Sequence, residues 1–316
     1  MGRINQALLK KFEEDLRGGV LSELLTELKQ DDTLALEFRA DYLSIYYRGG
    51  CISKLTYNEQ QNQYIDFFDS NYDSEEKVNA TSLVIKSTEE CKLLVETIQL
   101  RKKIMNAYFA NTPKMERQYQ QIIEWENNRD LHSNYTITDI EYQKANDFRF
   151  DLIAVNRRRQ KDYQNLKLSI IELKYGANSI GNDSGVYEHF KDVNNLTDEA
   201  IMDLVEETKF IIKCKQELGL ISLLDSAKDG FNISVDSIDL IYFIGDISIE
   251  QREKLLAELE KINNTLQLSD RKIAIDVKVF CPYLTGNVMF DHDILTIEEF
   301  LKVNKLREDI AGISAN

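Results

Sequence analysis

The chain of 316 residues carries 54 Asp and Glu against 39 Lys and Arg, a net charge of −15, with 43% hydrophobic and 29% charged residues. That balance is ordinary for a globular protein, and the acidic excess argues against one that coats nucleic acid with its whole surface while leaving room for a local contact. No run approaches the roughly 20 apolar residues of a membrane helix, the opening MGRINQALLKKFEEDL has no apolar signal core, and Cys51, Cys91, Cys214 and Cys281 form no CxxC pair; a cytoplasmic protein with reduced thiols and no membrane contact is expected.

In chain order, Leu8, Leu9, Phe12, Leu16, Leu21, Leu24, Leu25 and Leu28 recur at helical spacing, and Gly18-Gly19 marks a break. The segment LEFRADYLSIYYRGGCISKLTYN alternates and is rich in Tyr and Ile around Gly49-Gly50, the pattern of a β-hairpin. QYIDFFDSNY reads as a short strand. SEEKVNATSLVIKSTEECKLLVETIQLRKKIMNAYF reads as mostly helical, with Ser74 as its candidate cap. Pro113 marks a boundary, so residues 1–112 form an N-terminal α+β region expected to serve recognition or assembly, through a protein partner or a second copy of the chain.

Residues 113–316 begin with a helix, PKMERQYQQIIEWENN. Three strands are predicted next: YTITDIEYQ (135–143), FRFDLIAVN (148–156) and KLSIIELKYG (167–176). SGVYEHFKDV starts a helix, and a long amphipathic one follows from Thr197 to Leu218. SIDLIYFIG, SIEQREKLLAELEKINN and KIAIDVKVF form a strand–helix–strand unit with buried strands, and TIEEFLKVNKL closes the chain as a helix.

Within the third of these strands, LSIIELKYG places Glu172 and Lys174 on one face and Ile171 and Leu173 on the other. Two opposite charges in an apolar strand are costly to desolvate unless they have a partner or a task. The element order and these acids resemble the PD-(D/E)xK nuclease superfamily, whose signature is an Asp on the second strand of a three-strand meander and Glu/Asp-x-Lys on the third. Asp151 in FRFDLIAV matches the first and Glu172-Leu173-Lys174 the second, over a match from Lys114 to Val193. Phe150 stands where the pattern has Pro.

The resemblance implies a restriction-endonuclease-like αβββαβ core, a mixed sheet flanked by helices, acting as a divalent-metal-dependent nuclease on DNA, with a bacterial defence or restriction-like role. It implies Mg²⁺ or Mn²⁺ held by Asp151, Glu172 and the backbone carbonyl of Leu173. That chemistry is coherent, because carboxylates on rigid strands suit hard cations and can leave positions open for water and phosphate. Lys174 would orient the attacking water and offset developing charge.

Glu116, on the preceding helix and on one face with Gln120, is the matched helical acid, with Glu124 second. Asp139 and Glu141 share a face of the first strand. Tyr187 and His189 in SGVYEHFKD stand where the superfamily carries substrate-facing residues. Arg157, Arg158 and Arg159 lie in the loop between the Asp151 and Glu172 strands, where a basic run could grip phosphates or serve as a solvated hairpin tip. The alternative function is a catalytically inactive module of the same fold that binds nucleic acid or a protein. No Gly-rich phosphate loop, GxSxG elbow or HExxH helix supports an unrelated enzyme.

Overall fold

The leucine spacing at the start of the chain yields α1 (Gln6–Gly18) and α2 (Ser22–Gln30), parted at Gly19. The computed structural model describes residues 4–72, 83–130, 132–144, 148–157, 165–175, 180, 185–222, 230–245, 247–266, 271–282 and 286–314. These form a mixed α/β structure with two sheets. Two compact units emerge, Met1–Trp125 with Glu206–Leu223, and Glu126–Val205 with Leu224–Asn316.

The first unit holds an antiparallel meander of β1 (Leu34–Phe38), β2 (Tyr42–Tyr47), β3 (Gly50–Asn58), β4 (Gln63–Phe67) and β5 (Leu83–Ile85). Between β2 and β3, Arg48 (φ 48°) and Gly49 (φ 73°) are both left-handed, the requirement of a type I′ hairpin turn. A Cβ on Gly49 would fall 2.4 Å from the Arg117 carbonyl carbon, so the turn needs glycine for space as well as for φ. The long helix α3 (Thr88–Asn111) starts at a capping box: Ser87 Oγ accepts the Glu90 N–H at 3.3 Å, and Glu90 Oε2 accepts the Ser87 N–H at 3.1 Å. The expected cap at Ser74 lies outside the described residues, and β5 precedes the helix where the sequence suggested continuous helix.

Behind this sheet, Arg101 reaches into the core and forks onto Asp66, which also accepts Ser53 Oγ at 2.5 Å. Leu9, Phe12, Leu16, Leu94 and Ile98 join one cluster with Ile211, Cys214 and Leu218. Those last three explain why the division falls elsewhere than at Pro113. The second half of α6 (Asp198–Glu217) supplies core to the first unit, and Lys215 Nζ donates to buried Glu37 at 2.8 Å. At the other end of the boundary, Gln121 of α4 (Met115–Arg129) accepts the Gly49 N–H at 3.0 Å and donates to the Thr33 carbonyl at 2.7 Å.

The second unit is built on a six-stranded sheet ordered β11-β10-β9-β8-β7-β6. Strands β6 (Tyr135–Lys144), β7 (Phe148–Asn156) and β8 (Asn165–Tyr175) are antiparallel neighbours. Next, β9 (Asn232–Gly245) and β10 (Ala274–Phe280) run parallel to β8, and the short edge strand β11 (Ile294–Thr296) is antiparallel. Helices α5 (Val186–Asn194) and α6 come between β8 and β9 in the chain, α7 (Ile249–Leu266) between β9 and β10, and α8 (Ile297–Ser314) follows β11. Among the described residues no helix is long and apolar enough to cross a membrane.

On one face of this sheet the apolar strands carry four charges. Lys167 Nζ lies 2.5 Å from both Asp239 and Asp276, Lys278 Nζ lies 2.9 Å from Asp239, and Asp239 is fully buried. Ser237 Oγ adds a bond to Asp276 at 3.1 Å.

Candidate active site at a strand fork

The β7–β8 ladder runs from Asn156↔Lys167 to Leu152↔Ile171 and stops there. Beyond that point Phe148, Arg149 and Phe150 stay paired with β6, while Glu172, Leu173, Lys174 and Tyr175 stay paired with β9. The sheet therefore forks at Asp151 and Glu172. Leu152 and Ile171 oppose each other and share a face, so alternation puts Asp151 and Glu172 together on the other. Lys174 follows Glu172 on that face.

At the fork the Leu173 N–H lacks a β7 carbonyl, and Asp151 Oδ2 accepts it instead at 2.9 Å. The acid is thereby fixed across the gap between strands. Glu172 is 1% exposed and Lys174 3% exposed. Glu172 Oε2 lies 3.1 Å from His189 Nδ1 on α5. Beside it, Tyr242 of β9 is fully buried and directly opposite Glu172. Burial, then the nearby Glu172 carboxylate, push the Tyr242 phenol well above its ordinary range. It stays protonated and donates to the Val186 carbonyl at 2.7 Å, tying α5 to this face of the sheet.

Asp139 is buried, opposite Ile153, on the face that carries Asp151. Its expected companion Glu141 is different. Glu141 has a left-handed backbone (φ 54°), pairs with Arg149, and interrupts the ladder where it would oppose Asp151. A glutamate in that conformation is strained, and such strain concentrates at functional sites.

Among the other expected site residues, Tyr187 stacks on Phe190 and its hydroxyl lies 3.4 Å from Thr265 Oγ1 on α7. Glu116 lies in the first turn of α4, in the first unit. Arg157 is a correction to the phosphate-gripping reading. It is 3% exposed, and its guanidinium donates to the carbonyls of Asn127, Tyr135 and Asp130. It fastens the end of α4 to the start of β6. Arg158 and Arg159 lie outside the described residues.

No family model, curated protein or solved structure matches this chain. The donor chemistry at the fork is two carboxylates and a backbone carbonyl, an all-oxygen set that suits Mg²⁺ or Mn²⁺. Among the described residues no group of three or more His, Cys, Asp or Glu side chains could hold a metal; the expected set has two such side chains. Sequence reasoning missed the Tyr242 partnership and the Asp151–Leu173 bond. Tyr242, a hydroxyl inside the apolar run LIYFI, was a signal for the first. The second depends on where two strands separate, which periodicity does not encode.

Proposed function

We propose that the second unit is a restriction-endonuclease-like module of the PD-(D/E)xK type, hydrolysing phosphodiester bonds in DNA with a divalent metal. The observation that carries this reading is that strand alternation puts Asp151, Glu172 and Lys174 on one face beside a strand fork. The order β6-β7-β8-α5, with β9 parallel to β8, adds support.

In this reading Asp151, Glu172 and the Leu173 carbonyl hold the ion, which when bound supplies Lewis acidity and an activated water. The Leu173 amide orients the Asp151 carboxylate. His189 positions Glu172 from α5, and Lys174 orients the attacking water and offsets charge growing on the phosphoryl oxygens. The first unit is assigned to recognition or assembly.

A second reading, an inactive module that binds nucleic acid or a protein, is favoured by the depth of Glu172 and Lys174 and by the hold of His189 on Glu172. One experiment separates them. The full chain is assayed with single- and double-stranded DNA and with RNA, in Mg²⁺, Mn²⁺ and Ca²⁺, beside Glu172→Gln and Lys174→Ala. Cleavage in Mg²⁺ or Mn²⁺, abolished by both substitutions while Lys174→Ala still binds DNA in Ca²⁺, supports the nuclease. Binding without cleavage under every condition selects the inactive module.

A further inference from the structure

Two strands from Glu172, on the same face of the second unit's sheet, lies a cavity of about 180 Å³. Glu172, Tyr242 and Val279 stand in one row across β8, β9 and β10, and Val279 is part of the cavity wall. Two strand spacings put it about 10 Å from Glu172. It opens at the carboxyl ends of the parallel strands β9 and β10, where α/β sheets characteristically receive ligands.

The described walls combine an apolar body with two opposite charges. Val279, Leu295 and Phe300 supply apolar surface, while Arg252 and Asp293 supply the charges. Arg252 is aimed by buried Asn304, whose Oδ1 accepts Nε at 2.8 Å and also Nη2, and whose Nδ2 is anchored on the Phe300 carbonyl at 2.7 Å. Nη1 of Arg252 has no hydrogen-bond partner among the described residues. Asp293 Oδ1 lies 3.5 Å from His292 Nε2, whereas Oδ2 is buried and has no partner among the described residues. The two charges line one small space without pairing with each other.

We propose that this cavity binds a small zwitterion of the apolar α-amino-acid class, with its carboxylate on Arg252 and its ammonium on Asp293. Size and charge select this class. The volume is well below the 300–1,000 Å³ or so of sites that take drug-sized ligands. A bare anion would meet the Asp293 carboxylate, and a bare cation would meet Arg252. Either ion would leave the apolar wall uncovered, whereas an aliphatic side chain covers it. Arg presents a planar fork to a carboxylate, and Asp293, its side chain 28% exposed, presents a carboxylate to an ammonium. The site is independent of the nuclease reading.

The test is calorimetric titration of the full chain with L-valine, L-leucine, L-isoleucine and L-methionine, beside isovalerate and isobutylamine as analogues with one charge each. Saturable binding of at least one amino acid is expected, with the single-charge analogues weaker by about tenfold or more. Arg252→Gln and Asp293→Asn should each cost a similar factor, and Val279→Phe, which fills the space, should abolish binding. Cys281 lines the cavity and is partly exposed, so its alkylation rate, read by mass spectrometry, should fall in the presence of the amino acid that binds. Arg252→Gln bears on the proposal only where circular dichroism shows a wild-type fold; Asp293→Asn and Val279→Phe carry it otherwise. Absence of binding at millimolar amino acid, or binding that survives both Asp293→Asn and Val279→Phe, overturns it.

Discussion

Asp151 Oδ2 accepts the backbone N–H of Leu173 at 2.9 Å, across the point where β7 and β8 part company. One carboxylate thus closes the ladder that the backbone leaves open. Two substitutions separate this bond from any role in catalysis. Asn keeps an acceptor for the Leu173 amide, so Asp151→Asn should change stability by less than about 1 kcal/mol while abolishing the proposed metal-dependent cleavage. Asp151→Ala removes the acceptor as well and should cost about 1–3 kcal/mol. Denaturant unfolding of both variants, with the cleavage assay alongside, checks the pair. Equal stability losses would show that the bond contributes nothing.

The Asp66–Arg101 pair in the first unit is fully enclosed, with side-chain exposures of 0% and 3%. Arg101→Ala leaves a buried carboxylate with Ser53 but without its cation, and should cost about 3–5 kcal/mol. Arg101→Lys should recover only part of this, because an ammonium cannot reproduce the forked contact. Thermal and denaturant midpoints of the two variants give the comparison; full rescue by Lys would refute the role of the fork.

Deleting residues 1–112 does more than remove the region proposed for recognition or assembly. It strips the cover from Ile211, Cys214 and Leu218, which belong to the first unit's core. In the intact chain burial, then Glu13, raise the Cys214 thiol to about 12, so little thiolate forms at pH 8 and alkylation should be slow. In the fragment Cys214 should react much faster, and the fragment should bind a hydrophobic dye and self-associate. A monomeric fragment with Cys214 still protected would show that the second half of α6 does not depend on residues 1–112.

Asp276 titrates low. Its partial burial raises the pKa, but the hydrogen bond and charge of Lys167 with the Ser237 and Lys278 contributions outweigh this, for a net lowering. A depressed carboxylate adds stability that is present above its unfolded value, near about 4, and is lost as pH falls through the folded value. Half of the side chain is exposed, so the contribution is about 1 kcal/mol or less. Asp276→Asn should therefore be destabilising at pH 7, and the difference should shrink as pH falls below about 4. A stability difference that does not shrink on acidification would remove Asp276 from the acid response.

Much of the second unit was readable from residue order, since the apolar runs of β7, β8 and β10 and the amphipathic stripe of α6 each bury what their spacing requires. The face shared by Glu172 and Lys174 followed from strand alternation alone. Other features depend on tertiary pairing. Arg157 lies in a basic run, yet its guanidinium satisfies carbonyls that come together only when α4 ends against β6. The membership of Cys214 and Leu218 in the first unit's core turns on which sheet a helix meets, and their helical spacing is the same in either case. Sequence reasoning put the cap at Ser74 and passed over the Ser87–Glu90 capping box, and the preceding Leu83–Ile85 was too short to separate from helix by pattern.

The quartet of Lys167, Asp239, Asp276 and Lys278 has a consequence for how the parallel strands find their alignment. Around it, β8, β9 and β10 offer Ile, Leu, Val and Phe on both faces, so a two-residue slide would exchange one aliphatic neighbour for another and keep each face apolar. The charges remove that tolerance. A displaced β10 would carry Asp276 away from Lys167 and Lys278 away from Asp239, leaving Asp239 buried with less positive charge around it. The interlocked ions thus act as a key for strand alignment, admitting one offset among several that greasy side chains alone would accept.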